Sequence, residues 1–386
     1  MLRLNTKQYF LVFYSYMSSC ISAIGTANPQ YKIPQQQIYR FMLSAFNLDD
    51  NNASRLRQIY AHSGIDYRYS VIPDFGKAVS ESSGFFNSLP DLNSFPGTGE
   101  RMRMYRNEAL SIAAEAAEKC LKALDGALEI THLITVSCTG MYAPGIDIDL
   151  IEKLGLNLNI ERTCINFMGC YGALNALKTA DYICRADEHA KVLVVCVEIC
   201  TIHFQKENTL NNWIANSLFS DGAAAAIVEN TSRRTGAGCL TLETFYSEFV
   251  PTAKSEMGWH VGDTGFQMKL TSKVSKLILK HIPAVTSNLL QKAGLKFEDI
   301  ARFAIHPGGR RILEAAETAL GFTSEANKYG YQVLREYGNM SSATILFVLQ
   351  KHLEDTGARK GENILGFAFG PGLTVESMIL KRLGDA

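Results

Sequence analysis

Residues 191–199 read Lys-Val-Leu-Val-Val-Cys-Val-Glu-Ile, a nearly unbroken, largely β-branched apolar run. Such a strand has no polar face to offer water, so it belongs inside a sheet covered on both sides. Ile130–Cys138, Ala223–Val228, Leu240–Phe249, Ala301–Ile305, Glu362–Phe369 and Leu373–Leu380 are further strand candidates. Helical periodicity recurs between them. Residues 104–124 place Leu110, Ala113, Ala114, Ala117, Leu121 and Leu124 at helical spacing, and a helix is expected from just after Cys170 to about Arg185. Residues 267–293 read as a long helix or helix pair, and Gly308–Leu320 and Ser341–Leu353 as helices. Alternation on both sides of about residue 235 predicts two α/β halves with buried sheets. No sequence repeat links the halves, so the duplication rests on pattern. Thr231–Gly238 is the best linker, which divides the chain into 17–235 and 236–386.

A chain of 386 residues, 47% apolar and 20% charged, can bury a large core. Its formal net charge is zero and its basic residues are scattered, so neither a nucleic-acid nor a membrane surface is expected. The nine cysteines are odd in number and form no CxxC pair. Reduced thiols in a cytoplasmic protein are the better reading. Cys200 and His203 lie three apart without a second ligand pair, so no metal site is expected. Lys7–Tyr14 looks like a short signal core, but it is weakly basic and lacks a small-x-small cleavage site. Met17 offers an alternative start, leaving residues 1–16 as an N-terminal extension. No apolar run reaches the roughly 18–20 residues of a membrane span.

The chemistry centres on Asn166-Phe167-Met168-Gly169-Cys170-Tyr171-Gly172-Ala173, which opens a helix-like stretch. A thiol there faces unpaired N–H groups and the positive end of the helix dipole, both of which favour thiolate. Two later segments could complete a site, Ile305-His306-Pro307-Gly308-Gly309 and Tyr337-Gly338-Asn339-Met340-Ser341-Ser342. A thiolate, an imidazole and an amide suit acyl chemistry. Each also fits a plain structural role: Cys170 as a buried cysteine, His306 as a satisfied core residue, Asn339 as a cap.

These segments carry a resemblance when taken with Ile24-Gly25-Thr26-Ala27-Asn28-Pro29, Leu218-Phe219-Ser220-Asp221-Gly222-Ala223 and Gly370-Pro371-Gly372-Leu373-Thr374. In this order they are similar to the type III polyketide synthases, the chalcone-synthase-like branch of the thiolase superfamily. The resemblance implies a thiolase-like five-layered α/β/α/β/α sandwich of two similar halves, acting as a homodimer. It implies that Cys170 takes an acyl-CoA starter and that His306 pairs with it as imidazolium, holding the thiolate. Asn339 and His306 would form an oxyanion hole for malonyl-CoA as it loses CO2. Coenzyme A thioesters would be substrates, with no cofactor or metal. Phe219 matches a gatekeeping phenylalanine between CoA tunnel and cavity, although it also suits a core. Phe266 aligns with a second gate or cavity phenylalanine. Gly370, Pro371 and Gly372 match the loop at the cavity floor and also read as a hairpin turn. Ser341 lies in a matching segment.

The departures from the plant enzymes carry information too. Arg55 matches one basic CoA-contacting position, or is a solvated helix charge, but Gln58 and His62 occupy the next two. Cys138 stands where plant enzymes carry threonine, and is expected to line the cavity rather than act as a second nucleophile. His203 replaces a threonine that shapes the starter pocket, and Ala215 a glycine. The expected function is iterative extension of a fatty acyl-CoA or malonyl-CoA starter to a resorcinol, pyrone or related aromatic. Two alternatives remain open: a ketoacyl-acyl-carrier-protein synthase III making one condensation, and a catalytically silent acyl-CoA-binding member.

Overall fold

The computed structural model describes residues 18–46, 48–76, 84–86, 95–123, 129–234 and 238–384. The extension 1–16, the alternative start Met17, Leu124 and residues 235–237 of the expected linker lie outside them. The strands are β1 Ser19–Ala27, β2 Tyr31–Pro34, β3 Tyr67–Ser70, β4 His132–Ser137, β5 Glu161–Asn166, β6 Lys191–Ile199 and β7 Asp221–Asn230. They continue with β8 Cys239–Phe249, β9 Met257–Gly262, β10 Gly265–Leu270, β11 Ile300–Ile305, β12 Asn363–Gly370 and β13 Thr374–Leu383. The helices are α1 Gln35–Phe46, α2 Asp50–Ala61, α3 Thr98–Lys122, α4 Ile146–Leu154 and α5 Gly172–Ala186. After them come α6 Leu210–Leu218, α7 Val274–Ala293, α8 Arg310–Leu320, α9 Lys328–Tyr337 and α10 Thr344–Leu353.

Nine strands form one hydrogen-bonded sheet in the order β11-β12-β13-β8-β1-β7-β6-β4-β5. The join in its middle is thin, with β1 meeting β8 only at Ser19–Leu242, Cys20–Thr241 and Ile21–Leu240. On each side of that join the relations repeat. β1 runs antiparallel to β7, β7 antiparallel to β6, and β6 parallel to β4. β8 runs antiparallel to β13, β13 antiparallel to β12, and β12 parallel to β11. The duplication that the sequence hides is therefore plain in strand direction.

Packing follows from this. Val192 through Val197 of β6 are wholly buried, as their apolar run requires. The alanine-rich face of α3 covers the outer side of the first half-sheet, through Ala109, Ala113, Ala116 and Ala117. It lies so close that a Cβ on Gly25 of β1 would stand 2.2 Å from the Ala116 carbonyl. Helices α5 and α10 share one apolar cluster with the inner faces of both half-sheets. Helices α7 and α8 pack in a third cluster on the outer side of the second half-sheet. The result is five layers.

Two expectations need correction. Residues 267–270 belong to strand β10, and the helix begins only at Val274. The turn through Asp263 and Thr264 folds β9 and β10 into a hairpin, in register from Gly265–Gly262 to Leu270–Met257. Cys170 does not open a helix directly. It sits in a 3₁₀ turn, Gly169–Tyr171, ahead of α5.

Candidate active site

Cys170 is delivered by a sharp turn between β5 and α5. Phe167 and Gly169 both adopt positive φ, 62° and 74°. For phenylalanine that is a strained conformation, of the kind that persists where surrounding structure enforces it. At Gly169 a Cβ would meet Pro371 Cδ at 2.5 Å, so glycine lets the 370–372 turn lie against the cysteine's own turn. His306 follows the C-terminal end of β11 and is tied there by its N–H to the Phe367 carbonyl, 2.8 Å. Asn339 follows α9 after Gly338, whose φ of 72° reverses the chain. Its backbone is clamped between Leu218 and Ser220, each bond 2.9 Å long.

The three side chains line one cavity of about 580 Å³. Asn339 is oriented by its neighbours: Oδ1 accepts from the Ser341 N–H at 2.8 Å, and Nδ2 donates to the Gly308 carbonyl at 3.2 Å. The Ser341 hydroxyl donates to Cys170 Sγ at 3.6 Å and lies 3.1 Å from Cys138 Sγ. Ser341 itself has φ 47°. Among the described residues neither ring nitrogen of His306 has a hydrogen-bond partner, although the residue is 1% exposed. A buried imidazole left unpaired is costly, and such costs gather at functional sites.

Burial shifts both groups toward their neutral forms. It pushes the Cys170 thiol up to about 11, more than hydrogen bonding from Ser341 and Asn339 lowers it. It pushes His306 down to about 3. Cys170 and His306 are not hydrogen-bonded to each other. Desolvation thus works against both charges of the thiolate–imidazolium pair that the resemblance implies.

Phe219 lies at the C-terminal cap of α6 and lines both this cavity and a second, narrow one of about 70 Å³. Cys138, His203, Ala215, Ser341 and Pro371 line the narrow cavity with Cys170. Its far wall is apolar, with Ile33, Ile38, Met42 and Phe75. Gly370 and Gly372 stand in the turn behind Pro371, and a Cβ on Gly370 would strike the Tyr171 ring at 2.5 Å. Phe266 lines neither cavity. It is 2% exposed and stacks on His203 at 4.3 Å, behind the wall rather than in it. His203 is fully engaged, with Nε2 2.6 Å from the Thr139 carbonyl and Nδ1 accepting from the Phe266 N–H at 2.9 Å. Burial lowers it to about 3. Arg55 is exposed on α2 and lines neither cavity, whereas Gln58 and His62 line the larger one.

Several site residues escaped the sequence reading. Met257 and Met268 of the β9–β10 hairpin line both cavities, and Trp259 lines the narrow one, donating to the Cys138 carbonyl at 2.7 Å. Arg310 and Arg311 line the larger cavity. Glu198 is wholly buried behind Cys138 and accepts from its N–H at 3.0 Å, from Thr139 Oγ1 at 2.7 Å and from Ser342 Oγ. Burial raises its pKa. A lone carboxylate within the apolar run 191–199 was the available signal.

A cysteine, an imidazole with free nitrogens and an oriented amide, held between two α/β half-sheets, define an acyltransferase of thiolase-like fold. Residues 15–232 match the family model of chalcone and stilbene synthases, N-terminal domain, and residues 241–384 the corresponding C-terminal domain. The chain belongs to the chalcone and stilbene synthase family and is a type III polyketide synthase. It is 30% identical to an alpha-pyrone synthesis polyketide synthase-like protein, Pks18, of Mycobacterium tuberculosis, over 93% of this chain and 90% of that one. It is 29% identical to 3,5-dihydroxyphenylacetyl-CoA synthase of Streptomyces toyocaensis, over 94% and 89%. The crystal structure of PKS-I from the brown alga Ectocarpus siliculosus superposes with a TM-score of 0.87 at 28% identity, covering 95% of this chain and 98% of that one.

Proposed function

We propose that this protein loads an acyl-CoA starter on Cys170 and extends it repeatedly by decarboxylative condensation with malonyl-CoA. One observation carries the reading: Cys170, His306 and Asn339 meet in one cavity, and both His306 nitrogens are unspent. As Cys170 attacks the starter thioester, neutral His306 takes the thiol proton and coenzyme A leaves as its thiol. When malonyl-CoA loses CO2, negative charge grows on the thioester oxygen. A ring N–H of His306 and the second N–H of the Asn339 amide can stabilise it there. The carbanion attacks the acyl-cysteine carbonyl, the bond from the acyl group to Cys170 Sγ breaks and frees the cysteine, and the chain, two carbons longer and now on coenzyme A, returns to Cys170 for the next round. Loss of CO2 drives the step, so the reaction calls for no redox cofactor or metal.

The narrow cavity beyond Cys170 supports an apolar starter. Among the described residues its one cationic side chain is Arg68, whose Nε and Nη1 donate to Gln35 and to the Asn216 and Phe219 carbonyls, while Nη2 has no partner. The apolar wall favours a fatty acyl-CoA starter, giving an alkylresorcinol or alkylpyrone, over malonyl-CoA, while the cavity's volume of about 70 Å³ has room for only the first carbons of such a chain. We also propose a homodimer in the cytoplasm. Strand β5 ends the sheet, and five of its six residues, Glu161–Cys164 and Asn166, are exposed, an edge open for another strand. Among the described residues no helix is long and apolar enough to cross a membrane.

The test is a product assay by mass spectrometry, with labelled malonyl-CoA, a panel of acyl-CoA starters and a Cys170→Ala control. Multiply extended, Cys170-dependent products are expected. A single extension would point to a synthase III activity, and no acyl-enzyme or CO2 at all to a silent binding protein.

A further inference from the structure

The larger cavity has a chemical gradient along its length. At its inner end stand Cys170, His306 and Asn339. Toward α2 and α8 its walls carry Gln58, His62, Arg310 and Arg311. Among the described residues no carboxylate lines it, and its only permanently charged side chains are the two guanidiniums. The cavity that must admit the donor thioester is therefore positive at one end and neutral at the other.

The two arginines differ. Arg310 is ion-paired with Glu314 one turn along α8, at 2.7 Å, and its stem passes over Gly64, with Cδ 3.3 Å from where a Cβ would sit. That brings α8 against the loop that ends α2. Arg311 is exposed and has no ion pair or hydrogen-bond partner among the described residues. An arginine left unpaired beside a cavity without acids is suited to a phosphate, whose oxygens match its planar fork. Arg55, by contrast, stands on α2 outside the walls of this cavity.

We infer that Arg311, with Arg310 beside it, is the phosphate anchor for the coenzyme A donor, in place of Arg55. This rests on the proposed function and adds to it a recognition site on α8. The anchor holds the phosphates at the mouth while the thioester reaches Cys170. It contributes to binding of the donor and takes no part in bond making.

The experiment compares malonyl-CoA with malonyl-pantetheine, which keeps the thioester and arm but has no phosphates. Arg311→Ala is expected to raise KM for malonyl-CoA about tenfold and leave kcat within about twofold. KM for malonyl-pantetheine should not move. Arg311→Lys should fall between, since it keeps charge without the fork. Arg55→Ala should leave both donors within about twofold. The malonyl-CoA KM of the wild type should rise with salt more steeply than that of Arg311→Ala. An Arg311→Ala protein with unchanged malonyl-CoA KM would overturn the anchor, as would equal effects on both donors or a larger effect from Arg55→Ala. Those results leave the proposed function standing. A wild-type protein that extends neither donor refutes the function and the anchor together.

Discussion

Two histidines, His203 in the narrow cavity and His306 in the larger one, line the two spaces that meet at Cys170 and look alike by burial. His203 is 5% exposed and His306 1%, and burial lowers each to about 3. They differ in what their nitrogens do. His203 spends both, on the Thr139 carbonyl and the Phe266 N–H, and adds a ring stack. His306 spends neither. A buried histidine with satisfied nitrogens is a strut, while one with free nitrogens is held in readiness for a ligand. Burial and a shifted pKa alone would not have separated them.

The largest test of that contrast lies at the residue His306 serves. Cys170→Ala should abolish the acyl-enzyme mass that wild type shows with a starter CoA, while Cys138→Ala keeps it. Next comes stability. His203→Ala removes two buried hydrogen bonds and strands their partners, so urea unfolding should show a loss of about 2–4 kcal/mol. His306→Ala breaks no hydrogen bond and should cost less than about 1 kcal/mol. Equal losses would erase the distinction between strut and poised group.

A smaller effect appears with pH. Both histidines are neutral in the folded protein down to about 3, whereas in the unfolded chain they take up protons near 6.5. Lowering the pH below about 6.5 therefore favours the unfolded state, which binds more protons. Each histidine should steepen the loss by about 1.4 kcal/mol per pH unit between roughly 6 and 4. His306→Gln should flatten that acid limb, as measured by urea unfolding at stepped pH. An unchanged slope would mean that His306 is charged in the folded protein. The smallest effect is expected at Cys138. Burial holds its thiol protonated, so Cys138→Ala should change the rate of product formation by no more than about threefold.

Much of this fold shows in the sequence because fully buried strands leave a continuous apolar trace, as 191–199 does. The hairpin β9–β10 did not show. Met257–Gly262 and Gly265–Leu270 mix glycine, histidine and lysine with apolar residues, and only Gly265 and Phe266 among them are buried. Cys170, His306 and Asn339 were legible as glycine-flanked residues in turns beside regular elements. Their convergence was not, because it depends on three segments spread over 170 residues of chain, from 170 to 339. The depth of burial around the pair was hidden for a related reason. A helix start and a histidine suggest thiolate, but the burial that opposes it comes from the whole fold. Arg55 was favoured by its position in the chain, and only the cavity walls pointed to Arg311.

The central claim is that His306 acts and His203 supports. It is tested most directly by CO2 release from labelled malonyl-CoA, measured for wild type, His306→Ala and His203→Ala at a temperature where all three are folded. The account predicts a fall of roughly 10²–10³ for His306→Ala, the usual cost of one oxyanion donor, with His203→Ala retaining most of the rate. Near-normal release by His306→Ala, or a comparable collapse in His203→Ala, would contradict it.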